Sequence, residues 1–234
     1  MKRIVITLAI GITCLFAFNV KAQTNSLSSK PRMFFSAGFV TPQFYGGTEL
    51  NNAYDLRNAS LSYYQDDNGN RAQVGNYGSN TGYSLGIGYY LPIKKVRGLA
   101  LGLLVNSGQT GSTPSESGYS EGYYFNFLNF GVGLQYYPFE KNNLYLKGDV
   151  GTGSVFSKNR FVNQLGEQDF LHHFGIGLET GGSIGYTFTP FNDKSIGLNF
   201  EAQYQYYSTR VEVSGIGDDQ WTFGALHLSA GIQF

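Results

Sequence analysis

Near the end of the chain, His227 and Ser229 are separated by one residue, Leu228. In an extended segment alternate side chains share a face, so the imidazole and the hydroxyl stand side by side. That is the arrangement of an activated nucleophile, provided a carboxylate orients the ring. No acidic residue follows Ser229 in the sequence, so the pair is an alternative to a non-catalytic reading. A second set mixes charges: Lys147, Asp149, Glu179, Glu201 and His227. With Tyr145, His173, Asn199, Gln203, Gln205 and Gln233 they fall on the polar face of alternating segments. Charges on a buried face must be paired and hydrogen-bonded. The expected chemistry is a polar plug built around Lys147, with a gate or proton-linked pore as the alternative. His172 and His173 are adjacent, so on a strand they point to opposite faces and do not chelate together. Asp66, Asn68 and Asn70 loosely resemble a calcium loop, but the glycine and the distal glutamate are misplaced, which leaves a solvated turn. No metal and no cofactor is expected.

The elements that must position these residues are eight stretches of period-2 alternation. The first, 33–41, puts Met33, Phe35, Ala37 and Phe39 on one face; the second, 82–91, does the same with Tyr83, Leu85, Ile87 and Tyr89. The third, 98–106, presents Leu99, Leu101, Leu103 and Val105, and the fourth, 123–137, presents Leu128, Phe130, Val132, Leu134 and Tyr136. At the start of the fourth, Phe125 and Phe127 fall on the opposite face, which predicts a bulge or a segment above the membrane. The fifth (144–154), sixth (173–189) and seventh (195–207) continue the pattern, and the eighth begins at about Trp221 and ends Leu226, Leu228, Ala230, Ile232, Phe234. Each approaches the ~9–11 residues that a tilted strand needs to cross hydrocarbon. The other face is rich in glycine and polar residues and reads as too small to fill a soluble core.

Connectors alternate in length: 92–97, 138–143 and 190–194 are short, whereas 41–81, 107–122, 156–172 and 208–220 are long. Aromatic residues precede each short connector, among them Tyr89, Tyr136, Tyr186 and Phe188, as expected of an interfacial girdle. Within the first long connector, 60–77 reads as a polar hairpin around Asp66–Asn70, an extension above the membrane and not a further pair of crossings. Tyr45, Tyr54, Tyr63, Tyr64, Tyr77, Tyr119, Tyr123 and Trp221 make the rim at that end aromatic. The glutamine that pairs with each charged residue follows from the short turns, which set Glu179 opposite Gln205 and Lys147 opposite Gln135.

The first 22 residues read as a cleaved secretory signal: Lys2 and Arg3, an apolar run to Phe18, then Val20-Lys21-Ala22 before Gln23. Cys14, the one cysteine, would leave with it. Residues 23–32 then form a short periplasmic segment and 33–234 the barrel. Acids and bases number 16 each over all 234 residues, and losing Lys2, Arg3 and Lys21 makes the rest mildly acidic. Such a balance does not suit a nucleic-acid backbone. A membrane protein without spanning helices must close its strands into a barrel, because every backbone donor in lipid needs a partner.

On these features (the signal ending Val20-Lys21-Ala22-Gln23, the eight segments, and the terminal pattern through Phe234) the chain resembles the small outer-membrane β-barrels of the OmpA-transmembrane-domain and OmpX type. The resemblance spans essentially everything after the signal. It implies an all-β, eight-stranded antiparallel up-and-down transmembrane barrel with short periplasmic turns and long extracellular loops, in the outer membrane of a Gram-negative bacterium. It implies contact with outer-membrane lipid and lipopolysaccharide, and recognition of Leu226, Leu228, Ala230, Ile232 and Phe234 by the barrel-assembly machinery. It also implies a monomer whose OmpA likeness stops at the barrel. Lipid A deacylases and palmitoyltransferases share this fold, and His227-x-Ser229 has the spacing such a deacylase uses. That resemblance needs the pair to face lipid, whereas its parity turns it to the lumen. The expected role is therefore non-enzymatic: structural, or adhesive through the extracellular loops. A narrow passive channel and a lipid A-modifying enzyme are the alternatives.

Overall fold

The computed structural model describes residues 30–46, 63–65, 71–73, 81–112, 115–116, 119–139, 143–162, 165–189, 196–213 and 217–234. The signal, Cys14, Tyr54, Tyr77 and the turn Asp66–Asn70 lie outside them. The described residues contain strands and no helix. In chain order these are β1 (Arg32–Gly46), β2 (Tyr63–Gln65), β3 (Arg71–Gln73), β4 (Gly82–Pro92), β5 (Leu99–Ser112), β6 (Ser115–Glu116), β7 (Tyr119–Tyr136), β8 (Leu144–Val162), β9 (Gln168–Phe188), β10 (Gly197–Val213) and β11 (Gly217–Gln233).

Eight of them close a ring, β1-β4-β5-β7-β8-β9-β10-β11 and back to β1, each antiparallel to its neighbours. The seam joins the first strand to the last: Phe34 opposes Gln233 and Val40 opposes His227. Backbone bonds from Met33 N to Phe234 O (3.1 Å) and from Phe234 N to Met33 O (2.9 Å) finish it. β6 only extends the tip of β7, and β2 and β3 form the separate hairpin expected within the first long connector.

The three short turns lie at the same end as Arg32 and Phe234. The β4–β5 turn is held by Ile93 N to Leu99 O (2.8 Å) and closes on Gly98, whose φ of 77° favours glycine. At the other end the strands overrun their expected limits. About 25 Å of hydrocarbon needs roughly 10 residues of tilted strand, yet β8 has 19 and β9 has 21. Most of what reads as the loops 107–122, 156–172 and 208–220 is therefore strand, rising roughly 20 Å beyond the apolar band at ~3.3 Å per residue. Ladder pairing alone extends them, so polar residues there do not stop a strand.

The bulge expected in the fourth crossing is absent. β7 runs in unbroken register with β8 from Ser120↔Val162 to Tyr136↔Leu146. The one shift at the seam lies instead in β1, between Phe44 and Gly46. Phe125 and Phe127 do not break parity; they face the lumen, where they are buried. The inner face is thus not merely small and polar. Its large rings occupy the room its glycines leave. A Cβ on Gly108 would stand 2.2 Å from the Phe127 ring, and one on Gly185 would stand 2.2 Å from the Tyr145 ring.

Candidate functional site

The lumen is built in three layers, and the alternation along β8 and β10 sets their order. Nearest the short turns, Lys147 Nζ lies 2.6 Å from Glu201 Oε2, and Tyr145 donates to the same oxygen at 2.7 Å. The ammonium also sits 4.2 Å above the Phe34 ring, which stacks on Tyr90. Below them the Arg32 guanidinium packs on Tyr137 at 4.7 Å. Thr187 donates to Asn199 Oδ1 at 2.7 Å, and its hydroxyl lies 3.3 Å from that of Tyr137. The void beside Lys147, lined also by Ser36, Gln135 and Ser229, measures about 10 Å³, room for a single water.

The middle layer holds two carboxylates, Asp149 and Glu179, both buried. Gln203 donates to Asp149 Oδ1 at 3.3 Å and Gln205 to Glu179 Oε1 at 3.0 Å, while Asp149 Oδ2 and Glu179 Oε2 lack partners. Tyr207 donates to Gln205 Oε1 at 3.1 Å and ties this layer to the next.

The outer layer is aromatic. Tyr207 and Phe223 stack at 4.5 Å with planes 2° apart, and Phe127 meets both rings edge-on, at 5.3 and 5.7 Å. Phe125 closes on Phe223 at 5.0 Å, and Val40, Val155, Val211, Trp221 and Ala225 complete a continuous buried cluster. Trp221 Nε1 donates to Asp219 Oδ2 at 3.0 Å, and the indole lies against His173. An eight-stranded barrel is just wide enough to be filled by side chains.

The charged set of the sequence thus separates. Lys147 pairs with Glu201, and Gln135 stands opposite Lys147 as expected. Glu179 stands opposite Tyr207 and Gln205 opposite Gly181, because β9 and β10 pair two residues out of the expected register; the Gln205–Glu179 bond forms across the diagonal. His227 joins neither pair: its ring packs on Phe127 at 5.8 Å, and Nε2 has no hydrogen-bond partner. His227 and Ser229 both face the lumen, Ser229 beside Lys147 and Glu201 and not on the lipid side. Among the described residues no three of His, Cys, Asp and Glu gather as a metal site. Sequence reasoning missed Arg32, Phe34, Tyr90, Tyr137 and Tyr207 as lumen residues. Extending each strand's parity to its aromatic members would have found the four rings; Arg32 is the first residue of β1, one position inside what reads as the periplasmic segment 23–32.

Outside, the pattern inverts. Leu103, Phe130, Ile176, Leu228 and their counterparts are about half exposed on the outer wall. On this wall also lie Leu226, Ala230, Ile232 and Phe234 of β11, and Tyr89, Tyr136, Tyr186 and Phe188 stand near the short turns. At the far edge Phe156 pairs with Phe174, ring to ring at 4.8 Å, and one step higher Lys158 pairs with His172. A closed sheet with a packed polar inside and an apolar outside is stable only in lipid. The fold is that of the small outer-membrane β-barrels.

No protein-family model matches the sequence, and no curated protein matches it. Among solved structures, the chain is similar to Ail, the attachment invasion locus protein of Yersinia pestis, crystallised with the heparin analogue sucrose octasulfate. The identity is 16%, the TM-score 0.49, and the match covers 88% of this chain and 99% of that one. It is also similar to Neisserial surface protein A (13% identity, TM-score 0.41, 86% and 95% covered). OprG of Pseudomonas aeruginosa is similar at 12% identity, TM-score 0.42, 88% and 97% covered.

Proposed function

We propose that this protein is a closed, non-enzymatic barrel of the Gram-negative outer membrane, a rigid stem that holds strand hairpins above the surface for structural or adhesive contact. The observation that carries this reading is the lumen: a salt-bridged layer and an aromatic layer stand in series, and the void beside Lys147 has room for one water. Rigid hairpins pre-organise a surface at little entropic cost, which supports a binding role for the overrunning strands. On the same reading, the barrel-assembly machinery takes up the outward Leu226, Leu228, Ala230, Ile232 and Phe234. The His227 ring packs on Phe127, its Nε2 has no hydrogen-bond partner among the described residues, and it is turned from lipid, which favours the non-catalytic reading.

Planar-bilayer recording of the refolded protein tests closure. The expected trace has no discrete openings, and reproducible single-channel steps would replace this reading with the narrow channel. Lipid A mass measured with and without expression tests the enzyme alternative, and a product lost on Ser229→Ala would establish it. Binding to host-cell or matrix surfaces, compared with a variant lacking 48–80, tests the adhesive role.

A further inference from the structure

Glycine brings Asp149 and Glu179 together. On the ladder between β8 and β9, Asp149 stands opposite Gly181 and Glu179 opposite Gly151. On its other side Asp149 faces Gly133. The two carboxyls are therefore diagonal neighbours with no side chain between them, a spacing that long side chains span. A Cβ on Gly181 would stand 2.7 Å from Asp149 Oδ2, so that oxygen lies over the β9 backbone beside Glu179. The carboxyls come into hydrogen-bonding contact with each other. Asp149 is 8% exposed and Glu179 0%.

Amides supply the donors. Gln203 donates to Asp149 Oδ1 and Gln205 to Glu179 Oε1. Asn129 is fully buried, and its Oδ1 accepts from the Asn106 backbone N–H at 2.9 Å, which turns Nδ2 toward Glu179. That nitrogen makes no hydrogen bond elsewhere. A buried donor aimed into the pair marks a place that carries negative charge. Asp149 Oδ2 and Glu179 Oε2 are left without a donor.

No cation of the described lumen serves them. The titratable groups around the pair are Lys147, Glu201, Tyr90, Tyr207 and His227. Lys147 is held by Glu201, and Arg32 lies beyond it on Tyr137. Tyr207 donates to Gln205, and His227 Nε2 makes no hydrogen bond. Two like charges in buried contact without a counter-ion do not both persist. A hydrogen bond between two carboxyls also needs a proton on one of them. A single proton meets both demands: an O–H on one carboxyl donates to the other, and the one remaining charge suits the three amides.

We propose that Asp149 and Glu179 form a proton-binding site, which at neutral pH holds one proton between Asp149 Oδ2 and Glu179 Oε2 and ties β8 to β9 midway between the salt-bridged and aromatic layers. The inference concerns the inside of the barrel alone and does not rest on a role for the outer hairpins or on the absence of conductance.

Infrared spectroscopy of the refolded full barrel in lipid vesicles at neutral pH reads this proton directly. A carboxylic acid has a C=O stretch above the amide band, and the stretch shifts in heavy water. The expected spectrum shows one carboxylic acid per barrel. The band should be lost entirely in Glu179→Gln and equally in Asp149→Asn, because either new amide donates to the carboxylate that remains. Glu212→Gln, which alters an exposed carboxyl on β10, is the control expected to keep the band. A heat-dependent gel shift confirms that each variant is folded. The wild type also answers without substitution: isotope labelling of the side-chain carboxyl of all glutamates, or separately of all aspartates, should move the band with one label or the other. A wild type without the band would mean that both carboxyls are ionised and would overturn the proposal. So would a band that survives in either variant, which would place the proton on one carboxyl alone or on another group, and so would a band that neither label moves.

Discussion

Replacing Lys147 by Met should destabilise the barrel by about 4 kcal/mol. Lys147 and Glu201 side chains are only 6% and 10% exposed, and their charged atoms are 2.6 Å apart. Removing the ammonium leaves a buried carboxylate with Tyr145 as its remaining donor. Breaking one side of such a pair typically costs ~3–5 kcal/mol. Loss of the cation over Phe34 adds about 0.5–1 kcal/mol, while the methionine stem retains much of the apolar contact. Against a typical total of about 5–15 kcal/mol this is a large fraction. The double variant Lys147→Met/Glu201→Gln removes the orphaned charge and keeps an acceptor for Tyr145, so it should recover to within about 1.5 kcal/mol of wild type. Equilibrium urea unfolding in lipid vesicles measures both; Trp221, the single tryptophan, lies in the outer layer and reports the transition by fluorescence. Bilayer conductance should stay silent in each variant, because the Phe127–Tyr207–Phe223 layer still blocks the lumen. A single variant within 0.5 kcal/mol of wild type, or a double variant no more stable than the single, would falsify the pairing argument.

Phe127→Ala should cost about 3–5 kcal/mol, since its ring touches Tyr207, Phe223 and His227 at once; the same urea titration reads it, and a loss under 1 kcal/mol would show that the aromatic layer is loosely packed. Gly108→Ala places a methyl against that ring and should cost about 1–3 kcal/mol by overpacking, most of it relieved in a Phe127→Leu background; additive losses would count against direct contact. Glu179→Gln should stabilise by about 0.5–1.5 kcal/mol, because it replaces a carboxyl crowded against Asp149 by an amide that can donate to Asp149 Oδ2. Destabilisation there would show that the second carboxylate is needed. Leu103→Arg, on the outer wall at mid-height, should cost about 2–4 kcal/mol in vesicles, and a neutral result would mean that this face does not meet hydrocarbon.

Much of the architecture was legible because parity is a local property. A strand alternates whatever its neighbours are, so the outward set from Met33 to Phe234 and the inward position of His227 and Ser229 follow from counting. The strand ends were not legible. Hairpins such as β8–β9 continue past the membrane on ladder bonds, to which the residues' polarity is indifferent. Phe125 and Phe127 misled for a related reason: apolar residues on the inner face look like an error of register until the cavity they fill is known. Register across turns was partly legible, right where Lys147 meets Gln135 and two residues off where Glu179 meets Tyr207, since a turn's length changes the pairing.

The sequence by itself determined that eight alternating segments turn an apolar face to lipid and a polar, glycine-rich face inward, since the backbone's period of two leaves no other assignment. Which inward residues touch was decided only by closure. Strand stagger places Lys147 on Glu201 and seats the Phe127 ring in the space over Gly108. Those neighbours are fixed by inter-strand register and barrel curvature, which depend on all eight strands together.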